Sequence, residues 1–150
     1  MAPESVLIIG YGSPLRGDDG AGPLAARRLA AKGFRTIDAH QLTPELAEPV
    51  AAARSVVFLD AHADLAPGKV SVRRLDGSEE LQPLLEHHAS PGGLLRLAHM
   101  VYGAKPEAWL IEMGGEDFEL SDRMSPAAHR AVGRAMREVM RCMNRESSKI

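Results

Sequence analysis

The sequence predicts a single α/β domain of three layers: a five-stranded, mostly parallel sheet, one edge strand antiparallel, covered by helices on both faces. Three observations carry this expectation. Short apolar runs alternate with helix-like stretches, which is the pattern of a parallel sheet clad in crossover helices. Several of those stretches open on a proline, as at Thr43-Pro44, Ser90-Pro91 and Ser125-Pro126, where proline suits the first helical turn. Only eight residues, Ala61 to Gly68, separate the third apolar run from the fourth, and a parallel crossover needs about a dozen or more.

Each element follows in order. Val6-Leu7-Ile8-Ile9, closed by Gly10, reads as a strand buried on both faces. A glycine-rich loop from Gly10 to Gly20 leads to a helix with Pro23 in its first turn and Leu24, Arg28 and Leu29 beyond. Gly33 stops it, and Arg35 to Asp38 form the second strand. Thr43-Pro44 opens a second helix to about Ala52, and Ser55-Val56-Val57-Phe58-Leu59 is the third strand, ending at Asp60. Lys69 to Arg74 alternates and is charged, which suits an antiparallel edge. Ser90-Pro91 opens a third helix that turns Leu94, Leu95, Leu97, Ala98 and Val101 inward and ends at Gly103. Ala108 to Met113 is the fifth strand, and Ser125-Pro126 opens the last helix, with Val132, Met136, Val139, Met140 and Met143 at helical spacing. Residues 144–150 read as a polar tail to a domain spanning 1–150.

Composition narrows the function classes. Eighteen Lys and Arg against 20 Asp and Glu leave a net charge of −2, with no basic excess to grip a phosphate backbone. Aromatic residues make up 4%, too few for base stacking, so nucleic acid is not an expected partner. No apolar run approaches the roughly 20 residues of a membrane helix, so no membrane insertion is expected. The single cysteine, Cys142, excludes an intrachain disulfide and reads as core. Together with the lack of a basic leader before Val6, it predicts a cytoplasmic protein.

With right-handed crossovers, the second strand lies on one side of the first and the third on the other. A crevice then opens at the carboxyl ends of strands one and three, where ligands of open α/β sheets bind. The acids at those ends are Asp18 and Asp19, Asp38, and Asp60. The glycine-rich loop lacks the lysine of a phosphate-binding loop, and Leu15 stands where a dinucleotide fingerprint needs glycine. Its two aspartates would repel a pyrophosphate. Asp60 ends an apolar run, where a carboxylate needs water, a partner or a metal. His87 and His88 precede the Ser90 cap. Asp19, Asp60 and His87 make a carboxylate–carboxylate–imidazole set suited to a divalent metal of intermediate softness such as nickel or zinc. His88 is the alternative imidazole, and His40 and His62 follow strands that border the crevice.

These residues carry a resemblance. Gly10-Tyr11-Gly12-Ser13 through Gly17-Asp18-Asp19-Gly20-Ala21-Gly22, then Asp38, Asp60-Ala61 and a helix-introducing His87, resemble the hydrogenase maturation protease family over roughly residues 5–140. The resemblance implies a twisted five-stranded sheet between helices. It implies an endopeptidase that trims a C-terminal extension from the large-subunit precursor of a [NiFe] hydrogenase. It further implies that Asp19, Asp60 and His87 contact nickel carried by that precursor, with no permanent cofactor. Water is activated either by the metal, which polarises it or the scissile carbonyl, or by a carboxylate acting as general base, with Asp38 in view. The sequence departs from relatives at Asp19, where glutamate is frequent, at Ser13, where asparagine is, and at Ala39-His40-Gln41, where Gly-Gly-Thr is. The readings from other classes are a non-catalytic nickel-binding accessory protein and a small-molecule hydrolase on the same fold.

Overall fold

The computed structural model describes residues 5–78 and 89–147. Its strands are β1 (Val6–Tyr11), β2 (Arg35–Ala39), β3 (Ser55–His62), β4 (Val70–Leu75) and β5 (Glu107–Gly114). Its helices are α1 (Ala21–Ala30), α2 (Ala47–Ala52), α3 (Pro91–Tyr102) and α4 (Pro126–Ser147), with short 3-10 turns at Gly17–Gly20 and Pro44–Leu46. The five strands lie in the order β2-β1-β3-β5-β4. Every neighbouring pair is parallel except β4 and β5. The short link after β3 therefore turns the chain back antiparallel at an edge, as its length requires.

The apolar strands divide their side chains between two cores, as a period of two demands. Val6, Ile8, Val57, Leu59, Trp109, Ile111 and Met113 pack with α1 and α4. Leu7, Ile9, Val56, Phe58, Ala108 and Leu110 pack with α2 and α3 on the opposite face. The same alternation sends Tyr11, Asp60 and Glu112 to the α2/α3 face at the carboxyl ends of β1, β3 and β5.

Glycine lets α1 sit close. A Cβ on Gly22 would come within 2.5 Å of the Leu59 carbonyl oxygen and 2.6 Å of that of Tyr11. The start of α1 thus lies directly on β1 and β3, a packing role for glycine. Gly12, at φ 142°, would bring a Cβ within 2.0 Å of the Asp19 carbonyl oxygen. The glycine-rich loop folds back on itself there and carries Asp19 to the sheet edge.

Helix ends follow their local chemistry. Ser90 accepts the Gly93 N–H and Gly103 closes α3 at φ 69°, a side-chain cap and a left-handed stop. Two inward expectations differ. Val101 is 61% exposed, because the whole last turn of α3, His99–Tyr102, faces solvent. Met140 is 41% exposed, since the buried stripe of α4 runs through Val132, Ala135, Val139 and Cys142, and Met140 lies one residue off it. The helix also continues to Ser147, through residues expected to be tail. Among the described residues no helix is long and apolar enough to cross a membrane.

Candidate functional site

The two adjacent aspartates of the glycine-rich loop have opposite surroundings. Asp18 is fully buried. Its Oδ2 accepts the N–H groups of Glu116 and Asp117 at 2.7 and 3.1 Å and the Ser125 hydroxyl at 2.7 Å. Its Oδ1 accepts the Ser125 N–H at 2.7 Å. Burial alone would raise its pKa, but these hydrogen bonds outweigh it and hold the carboxyl below its ordinary value. Ser125 Oγ in turn accepts the Ala128 N–H at 3.1 Å, so Asp18 also fixes the cap of α4. Asp18 is a bolt between the β1–α1 and β5–α4 loops.

Asp19 turns the other way. Its Oδ2 accepts the Ser13 N–H at 2.7 Å. It stands close enough to Asp60 for its charge to push the Asp60 pKa upward. Asp60 itself is lifted from 3.8 to about 7, chiefly by burial, then by the charges of Asp19 and Glu112. The Tyr11 hydroxyl donates to the Asp60 carboxylate and partly opposes the rise. Burial and the Asp60 charge keep the Tyr11 phenol protonated, its pKa raised above the ordinary value.

Glu112 pairs in register with Asp60 on the neighbouring strand, which makes it the third acid of this edge. His62 Nδ1 accepts the Asp64 N–H at 3.1 Å, which leaves its proton on Nε2. That nitrogen faces Glu112 Oε2 at 3.5 Å. Three carboxylates thus crowd one sheet edge, held by a phenol and an imidazole. Such an edge is disposed to receive a cation, since carboxylate oxygens suit divalent metals and a positive charge relieves their repulsion. Among the described residues, no three His, Cys, Asp or Glu are grouped to hold a metal ion by themselves.

The fold and this edge can be set beside known proteins. No family model and no curated protein matches the chain. Solved structures do. The [NiFe] hydrogenase maturation protease HybD from Thermococcus kodakarensis superposes with a TM-score of 0.73 at 27% identity, over 91% of this chain and 97% of that one. The hydrogenase 2 maturation peptidase from Thaumarchaeota archaeon SCGC_AB-539-E09 gives 0.69 at 27% identity, over 93% and 97%. The chain is similar to these hydrogenase maturation proteases over nearly its whole length and shares their fold. The Escherichia coli hydrogenase maturating endopeptidase HybD shares the fold, at a TM-score of 0.73 and 20% identity, over 94% and 93% of the two chains. The neighbours at 27% identity are peptidases by name, and the peptidase reading of this chain rests on that likeness.

The residues expected at the site fall into three groups. Asp19 and Asp60 come together at the carboxyl edge of β1 and β3. Asp38 does not join them. Ile37 packs into the α2/α3 core, so Asp38 points to the other face, where it is exposed and pairs with Arg27 of α1 at 3.4 Å. His87 and its alternative His88 lie outside the described residues; the described chain resumes at Ala89, whose N–H donates to the Leu42 carbonyl at 3.1 Å. His40, His99 and His129 are exposed. Sequence reasoning missed Tyr11 and Glu112. The signal for Glu112 was present: it is the one acid within the apolar run Ala108 to Met113.

Proposed function

We propose that this protein is a maturation protease that removes a C-terminal extension from the large-subunit precursor of a [NiFe] hydrogenase after nickel has been inserted, using nickel in the precursor as its recognition signal. One observation carries the reading: the Asp19 and Asp60 carboxylates share a sheet edge where burial first, and then the charges of Asp19 and Glu112, lift Asp60 to about 7. A site tuned in this way gains most from a cation that arrives with its substrate. Carboxylates from Asp19 and Asp60 and an imidazole from His87 are donors of the right chemistry for nickel. The nickel is substrate cargo in this reading, not a resident cofactor. Contact with it holds the precursor so that the scissile peptide lies against the edge, an advantage of proximity.

The hydrolytic water needs a base within reach. Asp38, on the opposite face and paired with Arg27, does not serve. Glu112, in register with Asp60 and backed by His62, is the carboxylate assigned here as general base. Tyr11 holds the Asp60 carboxylate in place by donating its hydroxyl hydrogen bond. Processing would then proceed only where cargo, scissile peptide and base coincide.

The experiment is the intact mass of the precursor after incubation with the protein, with and without nickel loading. Loss of a discrete C-terminal peptide from the loaded precursor alone is the expected result. An unchanged mass, with folded protein and loaded precursor, rejects the protease reading; tight nickel binding by the free protein would then point to an accessory protein.

A further inference from the structure

The sheet brings a cation as well as acids to the edge described above. Asp60 is in register with Glu112, and Glu112 with Ser71 on the antiparallel edge strand β4. Gly10 pairs with Leu59, so the residues that follow them, Tyr11 and Asp60, are level too. Tyr11, Asp60, Glu112 and Ser71 therefore form one row across four strands. One row further in, Arg73 pairs with Leu110. Its face is fixed by its neighbours. Leu75, two residues on, and its partner Leu110 pack into the α2/α3 core, whereas Val70 and Val72 pack against the other core. Arg73 thus shares the face of Asp60 and Glu112 and stands diagonally across from Glu112, at a spacing that long side chains bridge.

The two adjacent arginines of β4 differ in their partners. Arg74 lies over the Trp109 ring, 5.5 Å from its centroid, and pairs with Glu107. Arg73 is exposed and makes no ion pair among the described residues. Its charge nevertheless reaches the site, since it pulls the Tyr11 pKa down against the larger effects of burial and Asp60. Three strand spacings, about 14 Å, separate β4 from β1, so a guanidinium felt at Tyr11 is directed along the face toward the acids. The planar fork of a guanidinium matches a carboxylate with two parallel hydrogen bonds. The acids of the row leave that fork open, so the carboxylate that fills it arrives with the substrate.

We infer that Arg73 is a specificity-determining residue whose guanidinium receives an acidic side chain of the excised extension, just beyond the scissile bond. This rests on the protease reading above and deepens it: nickel marks the part of the precursor that is kept, and Arg73 reads the part that is removed. Nickel in the retained part meets Asp19 and Asp60, and the base Glu112 stands one strand further toward β4. An extension that continues in the same direction passes Glu112 and reaches β4. From β3 to β4 is two strand spacings, roughly 10 Å, or about three residues of an extended chain.

The test uses nickel-loaded large-subunit precursor in two forms, one with its natural extension and one with every Asp and Glu of the extension changed to Asn or Gln. Binding and cleavage are followed for the wild type, Arg73→Gln and Arg73→Lys, with thermal unfolding of the free proteins as the check on folding. On the natural extension Arg73→Gln is expected to raise KM about tenfold or more with kcat little changed, since binding is lost away from the reacting atoms. Arg73→Lys should fall between the two, keeping the charge without the fork. On the neutralised extension the wild type should show the raised KM and Arg73→Gln should add nothing, the non-additivity of two groups in contact. An unchanged KM for Arg73→Gln, an equal rise on both precursor forms, a fall in kcat alone, or a cognate extension without Asp or Glu would overturn the assignment. A wild type that leaves the loaded precursor uncut refutes the protease reading instead, and the binding of the two precursor forms to wild type and Arg73→Gln then decides the role of Arg73 separately.

Discussion

Replacing Asp60 with asparagine should stabilise the fold while abolishing processing. The carboxylate is held where its charge is unwelcome: its pKa rises from 3.8 to about 7, mainly through burial and then through Asp19 and Glu112. For an acid, a raised folded-state pKa means that the unfolded chain gives up its proton first. Stability is then lost as pH climbs from about 4 to 7, and the full penalty persists above that range. A rise from 3.8 to about 7 spans roughly three pH units at about 1.4 kcal/mol each, a ceiling near 4 kcal/mol. Asp60 keeps some contact with water, which softens the burial and charge terms, so the expected gain for Asp60→Asn at pH 8 is about 2 kcal/mol. Asparagine Oδ1 can still accept the Tyr11 hydrogen bond, so no buried donor is orphaned. Urea unfolding of both proteins at pH 8 and pH 4 measures this. The variant should be the more stable at pH 8, and most of the difference should vanish at pH 4, where the folded-state carboxyl is protonated and the unfolded-state one only about half ionised. A variant no more stable at pH 8, or a difference independent of pH, would refute the account of Asp60 as a strained carboxylate.

Two further outcomes follow from its neighbours. Asp18→Asn should destabilise the protein by about 3 kcal/mol, because a buried amide cannot accept all four donors now satisfied by the carboxylate; urea unfolding at pH 7 reads the loss. The wild type should also lose stability in acid as pH falls below about 3.8 through the depressed folded-state pKa of Asp18, and the variant should lack that component. Glu112→Gln should lower kcat for precursor cleavage about a hundredfold with KM little changed, measured by the rate of mass loss from nickel-loaded precursor. Full activity in that variant would remove Glu112 from the role of base.

Much of the architecture was legible along the chain, because its determinants are local or nearly so. Val6 to Ile9 and Ser55 to Leu59 are apolar on both parities, which only a strand covered on both faces can use. The eight-residue link Ala61 to Gly68 forced an antiparallel return whatever the rest of the sheet did. Ser90-Pro91 and Gly103 carry their helix boundaries in their own chemistry. Asp60 announced itself as a carboxylate at the end of an apolar strand. Val101 did not announce its exposure, because helical spacing reports which face a side chain shares and not how far the covering layer extends.

The sequence by itself determined the strand and helix order, the antiparallel edge, the switch point between β1 and β3, and the acids available there. Tertiary structure decided which of those acids act together. Asp18 and Asp19 are adjacent and identical in kind, yet one is consumed by donors from residues 116–125 and the other faces Asp60. That choice depends on a loop about a hundred residues away. Asp38 stands at a strand end like the others, but the register of β2 against β1 turns it to the α1 face and into Arg27. Glu112 and Tyr11 become neighbours of Asp60 only when β5 and β1 flank β3. Side-chain periodicity is written into a strand; which face meets which neighbour is fixed only when the sheet assembles, and a raised pKa is a property of that assembly rather than of any one residue.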